Sequence, residues 1–186
     1  GQEASIRLIN VFLADDIINS KQMNSSLIEF YVAHLDRILS TTFYARAQNN
    51  NHVISEGVAL YIIGYRLKGR IKRKKYKRYM RKGLSLIEVS VEKLIMQDGT
   101  FSQYSVTYHR MMLDLLTLLE IYRQKWELHD FSKKFYKKVK NAILWYHEMI
   151  DPNSGDAPNI GANDGTYLFN FDNKYYRDFG PTLNFS

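Results

Sequence analysis

Val53-Ile54-Ser55-Glu56-Gly57-Val58-Ala59-Leu60-Tyr61-Ile62-Ile63-Gly64-Tyr65-Arg66-Leu67 is apolar on nearly every side when wound as a helix. A helix at a protein surface keeps one polar face, so a segment of this kind belongs at the centre of a helical assembly. Helical periodicity continues on both sides of it. Residues 3–19 form a first candidate helix through Ile6, Leu8, Ile9, Val11, Phe12 and Leu13. A second opens on the capping-box pattern Ser26-Leu27-Ile28-Glu29 and runs to about Ala45. A fourth extends from about Lys74 to Met96 and stops at the turn signal Asp98-Gly99. The fifth places Tyr108, Met112, Leu115, Leu119, Tyr122 and Trp126 on one stripe, and a sixth covers about Ser132 to Met149.

Six antiparallel helices with short connections predict an all-α chain of stacked helical hairpins over residues 1–150. No period of roughly 20–50 residues recurs, which disfavours a regular solenoid. From Asp151 to Ser186 the chain is punctuated by Pro152, Gly155, Pro158, Gly161, Gly165, Gly180 and Pro181. This stretch is expected to be an irregular tail that ends without a helix or strand.

Hydrophobic residues make up 45% and charged residues 24% of the 186, a balance that supports a buried core and opposes wholesale disorder. Cysteine is absent, which removes disulfides and thiolate metal sites. No apolar run approaches the ~20 residues of a membrane span, and the first residues lack a signal-peptide layout, which leaves export open. The net charge of +7 is concentrated: 11 of the 17 positions from Arg66 to Lys82 are Lys or Arg, and none is acidic. The remainder carries 15 basic against 19 acidic residues, so the chain is not a generally basic nucleic-acid binder.

Four stretches could carry chemistry. Asn49-Asn50-Asn51-His52 precedes the central helix; it reads as a helix cap, or as an amide and an imidazole held at a helix start and aimed at an anion. Glu56 lies one turn beyond His52 and could orient its ring. Asp98 to Arg110 passes from turn to helix while presenting Gln103, Tyr104, Tyr108, His109 and Arg110. Here Tyr108 opens the apolar stripe as either a packed core residue or a proton carrier, and Arg110 can pair with Asp114. Asp156 to Gly165 is rich in Asp and Asn but does not match the twelve-residue calcium loop, so neither a metal nor a cofactor is expected. The basic run is a solvated helix face, a phosphate-binding patch, or an attractor for acidic polysaccharide.

Taken in order, Asn50-Asn51-His52 with Glu56, Asp98-Gly99-Thr100-Phe101 leading to Thr107-Tyr108-His109-Arg110, and Pro158-Asn159-Ile160-Gly161 with Asn163-Asp164-Gly165 resemble the heparinase II/III-like and alginate-lyase superfamily of polysaccharide lyases. The resemblance implies that the hairpins form part of an incomplete α/α toroid. It also implies a C-terminal β-sandwich, for which this chain leaves no room, so a fragment of a larger enzyme is expected. Its activity would be β-elimination on a uronate-containing acidic polysaccharide, the expected partner, with the full-length protein periplasmic or secreted. Asn51 matches the residue that neutralises the uronate carboxylate, His52 an assisting imidazole, and Tyr108, 57 positions beyond Asn51, the tyrosine that protonates the leaving oxygen and can act as base.

Ionising such a phenol takes nearby positive charge, which His109 or Arg110 could supply. Asn50, Gln103, His109, Arg110, Asn163 and Asp164 are the expected substrate contacts, and a second base, a His, would come from elsewhere; His34, His129 and His147 match no motif. The rival reading is a non-catalytic helical module that binds polyanions through residues 66–82. A helical glycoside hydrolase would need two flanking carboxylates, for which Asp98 and Asp164 are the best and unconvincing candidates. An incomplete helical layer would also expose apolar surface and favour self-association.

Overall fold

The computed structural model describes residues 1–18, 23–169 and 174–185, so the expected end of the first helix at Asn19 lies outside the described residues. Among the described residues seven helices follow one another: α1 (Gln2–Ile17), α2 (Ser25–Gln48), α3 (Asn51–Arg66), α4 (Arg73–Leu94), α5 (Val106–Lys125), α6 (Lys133–Met149) and α7 (Gly180–Phe185). Among the described residues the only β-type pairing is an isolated bridge between Ile95 and Phe101. No helix among them is long and apolar enough to cross a membrane. The chain forms two compact units, Gly1–Ile87 and Glu88–Ser186, with α4 contributing its beginning to one and its end to the other.

In the first unit α3 is the hub, packed against both α1 and α2. Every residue from Val53 to Gly64 is buried, as a segment apolar all round requires. The start of α4 returns antiparallel along α3: Gly57 faces Leu86 and Ile87, Gly83 faces Tyr61, and Gly64 faces Tyr79 and Met80. Gly83 makes this approach possible, because a Cβ there would sit 2.6 Å from Tyr61 N. The cap of α2 differs from the expected capping box. Asn24 takes that role, its extended backbone letting Oδ1 accept the Leu27 N–H at 2.8 Å, and Ser25 and Ser26 fall inside the first turn.

In the second unit α5 and α6 form a hairpin. The Asp98-Gly99 turn is where the sequence places it: Thr100 N–H donates to Asp98 Oδ1 at 3.0 Å, and Gly99 adopts φ +96°. The α5 stripe is buried at Met112, Leu115, Leu119 and Tyr122, while Trp126 is the residue that closes the helix. After Met149 the described residues up to Phe179 are irregular, but the described chain does not end that way. The expectation of a tail without a terminal helix is corrected by α7, whose start is favoured by Pro181 and by Asp178 Oδ1, which accepts the Gly180 N–H at 3.1 Å. Thr182 then ties α7 to α5 by donating to Asp114 Oδ1 at 2.9 Å.

Candidate functional site

The three consecutive asparagines divide three tasks. Asn49 closes α2 in the left-handed conformation at φ 50°, and Asn50 caps α3 by accepting the His52 N–H at 3.1 Å. Asn51, the first residue of α3, is 1% exposed. The capping reading therefore describes Asn50, whose side-chain oxygen is committed to the backbone. His52 is half-buried, and burial lowers its pKa, which keeps the ring neutral at neutral pH. Glu56 is almost wholly buried, and burial raises its carboxyl to about 7. No hydrogen bond joins Glu56 to the His52 ring among the described residues, so the expected orienting contact is not made, and Glu56 Oε2 is buried without a hydrogen-bond partner.

In the second unit the structure brings Tyr108, Arg110, Asn163 and Asp164 into one network. Ser105 caps α5, its Oγ accepting the Tyr108 N–H at 3.1 Å and donating to Ala162 O at 2.6 Å. Val106 N–H donates to Ile160 O at 3.3 Å, which lays residues 160–162 across the start of α5. Gly161 is required there: it sits at φ +74°, and a Cβ would lie 2.1 Å from Tyr104 O. So positioned, Asp164 accepts the Tyr108 hydroxyl at 2.7 Å on Oδ2 and both the N–H and hydroxyl of Thr166 on Oδ1, at 3.1 and 2.6 Å. Asn163 Oδ1 accepts a very short hydrogen bond from the Tyr176 hydroxyl, which also lies 3.4 Å from Thr107 Oγ1.

The hydrogen bond to Asp164, followed by partial burial, raises the Tyr108 pKa, while the same bonds from Thr166 and Tyr108 lower that of Asp164. The phenol is held protonated beside a carboxylate. This corrects the expectation that His109 or Arg110 would supply charge to ionise it. Successive helix residues turn by about 100°, and these two project away from the Tyr108 face. His109 is 1% exposed and stacks on Trp145 and Tyr146 at 4.6 and 5.5 Å; burial lowers its pKa to about 4. Its Nε2 donates to Ala142 O at 3.0 Å, which a carbonyl partner requires.

Arg110 is equally buried, with its guanidinium among Tyr167, Tyr176 and Phe179 at 4.4 to 4.8 Å. It donates to Tyr176 O at 2.8 Å and Thr166 O at 3.0 Å, and in place of the expected pair with Arg110, Asp114 accepts from Thr182. Charge-assisted bonds and cation–π contacts offset the burial of the cation and fasten both arms of the tail to α5. Gln103 is half-buried in the turn before α5, and no group of His, Asp or Glu suited to hold a metal occurs among the described residues.

Two participants escaped the sequence reading. Thr166 had a signal: Asp164-Gly165-Thr166 repeats Asp98-Gly99-Thr100, and both form the same side-chain-to-backbone turn with glycine at positive φ. Tyr176 had none, because an irregular segment has no periodicity to report which side chain returns to a helix.

No curated protein and no solved structure matches the chain. The family model described as Heparinase II/III N-terminus matches residues 2–179, almost the whole chain and all the motifs that carried the resemblance, so the chain belongs to that family.

Proposed function

We propose that the chain is the helical part of a polysaccharide lyase that cleaves a uronate-containing glycan by β-elimination. A base removes the proton at C5, the electron pair left behind forms the C4–C5 double bond, and the C4–O bond breaks toward the leaving sugar. The leaving oxygen takes up a proton. Tyr108 is the donor in this reading, and the observation that carries it is the Tyr108 hydroxyl held at 2.7 Å from the Asp164 carboxylate. A phenol with a raised pKa is a poor resting base, so the C5 proton goes to another group, in keeping with a second base supplied from elsewhere.

Asn51 supplies the amide that neutralises the uronate carboxylate and stabilises the enolate-like intermediate. His52, kept neutral by its surroundings, assists as a hydrogen-bonding group without adding charge. Buried His109 and Arg110 serve the site by holding its frame. An acidic extracellular or envelope glycan would place the full-length protein outside the cytoplasm.

The test is a panel of acidic polysaccharides incubated with the full-length protein and followed by near-ultraviolet absorbance of the unsaturated product. Growth of that absorbance with at least one uronate-containing polymer is expected. New reducing ends without absorbance would mean hydrolysis and would sink the proposal.

A further inference from the structure

We infer that the basic start of α4 is a second binding site, remote from Asn51 and His52, that holds acidic polysaccharide by charge. Lys74, Lys77, Arg78 and Arg81 are all exposed and spaced i, i+3, i+4, i+7, which aligns them along one face for about 10 Å. Tyr76 and Tyr79 of the same run turn inward, Tyr79 donating to Asp36 Oδ1 at 2.5 Å. Two members of the run are neutralised within the first unit, Arg66 by Asp15 and Lys75 by Asp36, both at 2.8 to 2.9 Å. Lys72, Arg73, Lys74, Lys77, Arg81 and Lys82 make no ion pair with a carboxylate among the described residues.

Two further features separate this stretch from an ordinary solvated face. The positive end of a helix disfavours cations, yet the first turn of α4 is built on Arg73-Lys74-Lys75, three cations where α6 has two. Like charges three and four residues apart also repel along the helix. Helix stability is given up here for a concentrated positive potential, which a bound anion would restore. α6 is the internal comparison: it too begins with lysines and has no acidic residue in its first turn, but Lys134 pairs with Glu92 and Lys138 donates to Ile95 O, which leaves Lys133, Lys137 and Lys140 as a sparser set of exposed cations.

The antiparallel packing of α4 on α3 puts the run at the end of that hairpin away from Asn51. The 15 steps from Asn51 to Arg66 span about 22 Å of helix. Within the first unit the site is therefore separate from the Asn51–His52 corner.

The ligand follows from what the run lacks. None of the exposed large hydrophobic residues falls between 66 and 82, so the run offers neither aromatic platforms for bases nor apolar wedges for a bilayer. The rest of the chain is net acidic, which opposes wrapping by a long polyphosphate. A flexible acidic glycan can meet a short cationic stripe without contacting the remainder. The proposed function enters only in this choice of ligand, and binding is measured without turnover.

A fluorescent heparin oligosaccharide serves as the probe, with anisotropy read across a salt series and a duplex DNA of matched charge as the alternative arm. K74E/K77E/R81E should weaken heparin binding at least tenfold and lower the salt dependence by about three ionic contacts. K133E/K137E/K140E on exposed positions of α6 makes the same change in net charge and should shift affinity less than threefold. The oligosaccharide should raise the Tm of the parent protein and not that of the α4 variant. K74Q/K77Q/R81Q repeats the measurement should charge reversal disturb folding by circular dichroism. Equal losses in the α4 and α6 variants, no loss in the α4 variants, or DNA bound as tightly through the same residues would each overturn the inference. Absence of unsaturated product from the full-length protein while heparin still binds through α4 would sink the lyase reading alone, so failure of that reading and failure of this site are told apart.

Discussion

The start of α3 and the start of α5 carry the two halves of the proposed chemistry, and they are built in opposite ways. At α3 the groups are set by burial: Asn51 and Glu56 are sunk in the most apolar helix of the chain, and Glu56 has a carboxylate oxygen without a hydrogen-bond partner. At α5 they are set by connection: Tyr108 is only half-buried and is aimed by an irregular loop that four side chains, Ser105, Arg110, Asp164 and Tyr176, fasten in place. Position on a rigid helix makes function inseparable from folding, whereas position through a loop lets the two be separated by mutation.

The sharpest break of this contrast comes from paired substitutions. Tyr108→Phe in the full-length protein should lower kcat by ~10²–10⁴-fold, because it removes the donor hydroxyl. Its Tm should barely move, since the ring stays and the lost bond is near the surface. Asn51→Ala should lower both kcat and Tm, because its side chain is buried at the head of the central helix. Tyr104→Phe, at a site 63% exposed, is the control and should leave turnover nearly intact. A Tyr108→Phe protein that loses stability but keeps activity would reverse the assignment.

Arg110→Ala comes next, as a test of the fastened loop. The Thr166 and Tyr176 carbonyls would lose their donor, and three aromatic rings would face a cavity. The expected destabilisation is about 2–4 kcal/mol, with faster proteolysis between residues 155 and 180. Unchanged proteolysis would show that the tail does not depend on this cation.

Asp164→Asn should act mainly on Tyr108, because the amide oxygen can still accept from Thr166. Removing the negative charge lets the phenol pKa fall toward its ordinary value, so the alkaline limb of the kcat profile should move to lower pH with little change in Tm. An unmoved limb would detach Asp164 from the proton donor.

The smallest effect concerns Glu56. Its folded pKa of about 7 exceeds the ordinary 4.5, so the folded state binds a proton more tightly than the unfolded chain. Its contribution to stability should fall as pH rises from 4.5 to 7 and stay low above that. Glu56→Gln should flatten this slope, match the parent at pH about 4, and melt about 2–5 °C higher at pH about 8. A variant that melts lower at the upper pH would show that the carboxylate has a partner worth more than its burial costs.

How far the sequence carries differs between these two corners for a physical reason. Residues 53–67 could be placed at the centre of a helical assembly because burial on all sides leaves a composition signature that does not depend on what does the burying. The helix order, the Asp98-Gly99 turn and the motif positions were legible likewise, as were the α5 stripe residues Met112, Leu115 and Leu119, since periodicity and turn chemistry are local. Tertiary structure alone decided that Tyr108 is kept protonated rather than ionised, that Arg110 holds the tail instead of Asp114, and that Tyr176 returns to Asn163. A pKa and a hydrogen-bond partner depend on which groups are brought within about 3 Å, and a helix residue and an irregular-segment residue 56 positions apart announce no such meeting in sequence.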